Sequence, residues 1–376
     1  MNRDGSLLGK RPVRGSFPRL LFGLTTTAAM MLGMAGAGAA TAAADTDPSG
    51  DTAIDTVSDG NTVIDTVSVE NRPRHVALTP DGAYAYVANT SSKSVSVIDT
   101  AGNTVIDTLS VEATPLGVAV SPDGAHVFVA NANSRSLSVI DAPTNIVVQN
   151  VLVPGGGNPQ NVAVTPDGSR VYITKVNDNS VQVFDTTRNT MIDPIPIGVF
   201  SRRVAFSPDG SRTYVTASGE SMFVIDTASN TVIDTIGVGG ESRGIAVTPD
   251  GSRIYVATYD QNSVAVIDAA SNTVIDTISV PHPRGAAVSP DGSLVYITNM
   301  DDDSVSVIAT ASDTVIDTVP VGESPDGIAV SPDGSRAYVA SVDDNSVSVI
   351  ELSGETPGGG EPGGGCTGSM CFASGS

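Results

Sequence analysis

Gly244-Ile245-Ala246-Val247-Thr248-Pro249-Asp250-Gly251-Ser252-Arg253-Ile254-Tyr255-Val256-Ala257 is two short apolar runs hinged on Thr-Pro-Asp-Gly. Proline fixes φ, aspartate bonds the local backbone, and glycine is free to take positive φ, so the tetrad reads as the turn of a β-hairpin. Two further β-branched runs follow, Ser263-Val264-Ala265-Val266-Ile267-Asp268 and Thr273-Val274-Ile275-Asp276-Thr277-Ile278. The unit predicts four strands, lettered a to d.

The unit is written seven times. Its turn aspartate recurs as Asp81, Asp123, Asp167, Asp209, Asp250, Asp291 and Asp333, at spacings of 41 to 44 residues. Four strands in a repeat of about 40–45 residues make the blade of a β-propeller, in which neighbouring sheets cover each other's faces. The scarcity of aromatics (4%, no Trp) and the abundance of Val, Ile and Thr suit many short strands. Pro194, Pro196 and Pro320 fall in or beside d strands, and proline is tolerated at a sheet edge, so d is predicted outermost. The recurrent d-strand carboxylates (Asp65, Asp107, Asp193, Asp234, Asp276, Asp317) would discourage edge-to-edge pairing between molecules.

The ends are out of phase. The repeats open on a lone d-type strand at 61–67 and close after a c-type strand at 346–351. The predicted fold is all-β, a seven-bladed β-propeller of four-stranded antiparallel blades, closed by an N-terminal outer strand that completes the last blade. A near-copy of the closing strand at 52–57 reads as an alternative closing register or as linker. The expected organisation is a signal peptide at 1–44, linker or degenerate strand at 45–60, propeller at 61–352 and a flexible Gly-rich tail at 353–376. The signal reading rests on basic Lys10, Arg11, Arg14 and Arg19, the apolar small residues of 20–40, and Ala42-Ala43-Ala44 before Asp45. Cys366 and Cys371 stand in the tail, where export favours a small disulfide loop over metal binding by two thiols.

The whole chain carries a net charge of −22. Residues 1–44 hold five of its 19 bases and one of its 41 acids, which leaves 14 against 40, a net of −26. Such acidity favours solubility and disfavours nucleic acid and anionic membranes as partners. No membrane span is expected after cleavage, and the expected state is a monomer.

Pro-x-Gly-Val-Ala-Val-Ser-Pro-Asp-Gly, Tyr-Val-Ala-Asn, Ser-Val-Ser-Val-Ile-Asp and Asn-Thr-Val-Ile-Asp-Thr together resemble the YVTN β-propeller repeat over about 61–352. The resemblance implies an exported or surface-layer-type propeller and says little about activity. Related propellers serve as lactonases and as heavy chains of quinoprotein amine dehydrogenases.

One position early in strand a reads Arg74, Leu116, Gln160, Arg202, Arg243, Arg284 and Asp326 around the ring, with His75 and Arg203 beside it. Converging guanidiniums at a channel mouth would bind an anion or carboxylate. The competing expectation pairs each arginine with an acid on its own or the next blade, with candidates in the nearby b–c loops: Asp178, Asp260, Asp301, Asp302, Asp303, Asp343 and Asp344. Asp301-Asp302-Asp303 supplies oxygen ligands for Ca²⁺ but lacks the ordered spacing of a calcium loop. His75, His126 and His282 lie in different units, without metal-binding spacing, and no nucleophile elbow or P-loop is present. The strand-b tyrosines (Tyr86, Tyr172, Tyr214, Tyr255, Tyr296, Tyr338) are periodic and read as core, not as a stacking platform for bases.

The sequence thus points to an exported or cell-surface propeller that acts as a non-catalytic scaffold for a protein, a glycan or a small anionic ligand, with no cofactor required. The alternatives are a lactonase-like hydrolase or lyase with a channel-mouth metal, and a non-catalytic subunit of an extracellular redox enzyme.

Overall fold

The computed structural model describes residues 60–353, which fall within one compact unit. The expected signal peptide, the linker with its strand copy at 52–57, the tail from 354 onward and both cysteines lie outside the described residues.

The strands of this region sort into seven four-stranded antiparallel sheets. In the first blade, a (Pro73–Leu78), b (Tyr84–Asn89), c (Ser94–Asp99) and d (Thr104–Ser110) pair in that order. Five more blades repeat it. The seventh takes a (Pro325–Val330), b (Arg336–Ser341) and c (Ser346–Glu351) from one end of the ring and its outer strand, Thr62–Ser68, from the other. Thr62 lies opposite Glu351 and Ser68 opposite Ser346. The ring is closed by chain ends, as the out-of-phase repeats require.

Each Pro-Asp-Gly turn is built from its own side chains. Thr248 Oγ1 donates to Asp250 Oδ1 at 2.5 Å, and the same oxygen accepts the Ser252 N–H at 3.0 Å. Gly251 sits at φ +71°, where a side chain would be strained. The turns also touch one another around the ring: a Cβ on Gly251 would meet Pro208 Cδ at 3.2 Å, and one on Gly82 would meet Pro332 Cδ at 3.3 Å. The six strand-b tyrosines are buried, and four reach the next blade's c–d turn with their hydroxyls. Tyr255 Oη donates to Asp313 Oδ1 at 2.6 Å and Tyr86 Oη to Asn145 Oδ1 at 2.9 Å. Between the sheets, interdigitated Val and Ile side chains such as Val264, Val266, Ile297 and Ile308 are wholly excluded from water, which is where most of the stabilising apolar burial lies.

Strand d is outermost in every blade. In the first blade Ile98 pairs with Val105 and Val97 with Asp107, so Ile106 is the extra residue of a bulge and is 51% exposed. Asp107 Oδ1 accepts the Thr108 N–H at 2.8 Å, and Asp65, Asp234, Asp276 and Asp317 repeat the contact. These carboxylates therefore fasten the bulge that twists the edge, besides charging it. Asp234 also accepts from Asn272 Nδ2 at 2.8 Å, a tie between blades that the edge role does not foresee.

Candidate functional site

The seven innermost strands surround the axis. His75, Val118, Asn161, Val204, Ile245, Ala286 and Ile328, one from each blade, line a channel cavity of about 310 Å³. Where these strands begin, the a–b pairing shifts register in every blade, between Pro73 and His75 in the first and between Ser242 and Ile245 in the fifth. A bulge re-aims side chains, and here all seven ring residues, Arg74 through Asp326, turn onto one small cavity of about 70 Å³, shared with Asn161 and Arg203. That space holds about five water-sized atoms.

The following position decides what fills the axis. Gly117, Gly244, Gly285 and Gly327 occupy it in four blades, and a Cβ on Gly285 would come within 2.2 Å of Asp326 O in the next strand. His75, Asn161 and Arg203 stand there in the other three. Glycine lets neighbouring strands close up, and three side chains plug the space that remains.

Threonines of strand b lock the bulges. Thr216 Oγ1 accepts the Arg203 N–H at 3.0 Å and donates to Arg243 O at 2.9 Å in the next blade. Thr174 joins Asn161 N–H to Arg202 O in the same way, and Thr298 joins Gly285 N–H to Asp326 O.

The arginines pair with acids other than those of the b–c loops. Asp326, 3% exposed, accepts Arg203 Nη2 at 2.8 Å, Arg74 Nη1 at 3.2 Å and Arg284 Nε at 3.2 Å. Burial opposes its charge, but Arg284, Arg203 and Arg74 overcome this and hold the carboxyl well below the usual carboxylate range. Glu241, in the d–a loop ahead of the fifth blade, contacts Arg202 and lies 3.1 Å from Arg243 Nη2. The b–c loop acids expected as partners are used elsewhere, because they belong to the rim and stitch it to the adjoining d–a loops. Asp178 pairs with buried Lys175, Asp343 with Arg72, and Asp260 accepts the Glu241 N–H at 2.6 Å. Asp301 and Asp302 face His282, and Asp303 accepts the Ser324 N–H at 2.8 Å. Only Asp303 of the run turns away from His282, and among the described residues no group of three or more His, Cys, Asp or Glu could hold a metal ion.

Five guanidiniums against two carboxylates leave the mouth three charges positive. Desolvation depresses the proton affinity of Arg202, Arg203 and Arg243, and the neighbouring guanidiniums add to it. The Nε–H donors of Arg74, Arg202 and Arg243 are buried without a partner. Arg243 also lies 5.5 Å over the Tyr259 ring, and Arg284 Nη1 is 3.2 Å from Met300 Sδ. Leu116, Gln160 and Asn161 make the opposite arc of the mouth neutral. His75 lies deeper, its Nδ1 donating to Val118 O at 3.0 Å. Desolvation, then the nearby Arg203 charge, bring its pKa down to about 3, so it is neutral.

The predicted residues Arg74, His75, Arg202, Arg203, Arg243 and Arg284 are thus brought together at the mouth and its floor, and Asp301 to Asp303 sit apart on the rim. Sequence reasoning missed Glu241, Asn161 and the three threonines. The threonines were marked by Tyr-Ile-Thr or Tyr-Val-Thr where other units read Tyr-Val-Ala or Phe-Val-Ala.

Residues 66–192 and 194–316 match the family model described as "Lactonase, 7-bladed beta-propeller". No curated protein matches the chain. A solved structure of hydrazine synthase from Kuenenia stuttgartiensis is similar at 25% identity and a TM-score of 0.70, over 76% of this chain and 96% of that one. With well over half its length matched by the family model, the chain belongs to the lactonase family of seven-bladed β-propellers.

Proposed function

We propose that this chain is an exported, non-catalytic propeller of the YVTN type that serves as a binding scaffold outside the cell and takes a small anion at its arginine ring. The observation that carries the binding reading is the surplus of three positive charges at a recessed mouth on a chain whose net charge is −22. Cations in excess of their carboxylate partners in a partly desolvated place are costly, and an anion relieves that cost with charge-assisted hydrogen bonds. The basic, small-residue leader and strong acidity support export, and Tyr86-Val87-Ala88-Asn89 with Asn272-Thr273-Val274-Ile275-Asp276-Thr277 supports the repeat type.

The test is a thermal-shift titration of the full chain with acetate, glycolate and sulfate. At saturating anion the melting temperature should rise by about 5 °C, and the Arg243→Gln/Arg284→Gln double variant should lose that rise. An equal rise in both proteins would overturn the reading.

Hydrolysis of a lactone is the second reading, favoured by the family match. The hydroxy-carboxylate released on ring opening has the charge that the mouth accepts. A channel-mouth metal does not fit these residues, since Asp326 is held by three guanidiniums and His75 Nδ1 is bonded to Val118. Proton release from small lactones, above the buffer rate and lost with the arginines, would favour hydrolysis over binding alone.

A further inference from the structure

We infer that the ligand of the ring is a small carboxylate, and that the Glu241 side chain occupies its subsite until the ligand displaces it. This rests on the reading of the mouth as an anion site and adds to it the chemical class and the competitor. The two carboxylates at the mouth differ in kind. Asp326 is 3% exposed, wedged among guanidiniums from three blades, and its backbone carbonyl is held by Thr298. It is a fixed part of the wall.

The Glu241 side chain is 30% exposed and bonded to nothing but Arg202 and Arg243. Its backbone is anchored independently: the Glu241 N–H donates to Asp260, and Glu241 O accepts the Tyr259 N–H at 3.1 Å. The side chain can therefore swing out without moving the loop. Arg243 would keep its place over the Tyr259 ring, and the Nε–H donors of Arg202 and Arg243, buried and unpartnered with Glu241 in place, would still face the same neighbourhood.

Glu241 meets both guanidiniums through one carboxylate oxygen, Oε1, and a ligand carboxylate in its place would make the same bridge while its second oxygen stays open to an arginine fork. The adjoining cavity of about 70 Å³ leaves room for a few more atoms against Leu116, Gln160 and Asn161. A carboxylate carrying a short neutral, hydroxylated group fills both halves, its charge on the Arg202–Arg243 side and its hydroxyl within reach of the amides.

The experiment is calorimetric titration of the full chain with glycolate, comparing wild type, Glu241→Gln and Glu241→Ala. Both variants should bind about tenfold tighter, the factor expected if the internal carboxylate fills the subsite roughly nine-tenths of the time. In Glu241→Ala, acetate should also restore the melting temperature that the substitution lowers, because it re-forms the lost ion pairs, whereas equimolar sulfate should restore less. Unchanged or weaker glycolate binding by both variants, with binding in wild type intact, would overturn the competitor and leave the anion site standing. Absence of binding in all three proteins would overturn the site itself. Equal gains for sulfate and acetate would show that Glu241 acts only through its charge, which also overturns the inference.

Discussion

At the scale of the residue, the fold opposes charge in one place and demands it in another a few ångströms away. His75 is kept neutral, its pKa lowered from 6.5 to about 3, first by desolvation and then by Arg203. Asp326 is kept ionised by the same arginine and two others. The linkage for His75 has a definite sign: between pH 6.5 and 3 the unfolded chain binds a proton at this position that the folded chain refuses, so stability falls as pH drops through that window. The slope from this one group is at most about 1.4 kcal/mol per pH unit. Denaturant midpoints measured from pH 7 to pH 4 should fall less steeply in His75→Gln than in wild type, and parallel curves would contradict a neutral, buried His75. Asp326 acts in a lower window, since its stabilisation is complete above the ordinary carboxylate value of 3.8 and is lost only as pH falls below it.

At the scale of the element, the repeat is legible because each of its parts is local. Thr-Pro-Asp-Gly makes its own turn from side chains two residues apart, and the short apolar runs beside it pair as a hairpin whose second strand is buried on both faces. The closing strand could be placed because the last blade lacks a fourth strand, and only one of its side chains is buried, Val67, after five exposed residues. Ile64 is 41% exposed and Val67 5%, packed with Val76, Val87 and Val347. Ile64→Asp should change stability by no more than about 0.5 kcal/mol, while Val67→Asp should cost at least about 2 kcal/mol. Urea midpoints of the two variants check this, and comparable losses would contradict the register of Thr62–Ser68 against Ser346–Glu351. The arginine positions were legible too, as departures from a uniform repeat. Their partners were not. Which acid meets Arg203 depends on a side chain reaching across the axis from the fourth blade to the seventh, and Glu241 lies in a loop whose path follows from Gly239 at φ +83°. Neither fact leaves a trace in residue spacing.

At the scale of the whole molecule, the propeller concentrates its scarce positive charge at one end of its axis. The Pro-Asp-Gly turns crowd the opposite end of strand a with carboxylates, each held below its usual pKa by neighbouring hydroxyl and N–H donors. An acidic body with one recessed basic mouth focuses the field there, so anion capture should weaken as added salt screens and competes. On the reading proposed above, this mouth, and not a surface lysine or a turn, is where the molecule holds an anion. The most direct measurement is anomalous diffraction at the bromine edge from crystals of the protein soaked in sodium bromide. The strongest bromide peak in the molecule should lie among Arg202, Arg243 and Arg284 and should vanish in Arg243→Gln/Arg284→Gln. Bromide ordered at other surface positions, with none at the mouth of the wild-type protein, would contradict that reading.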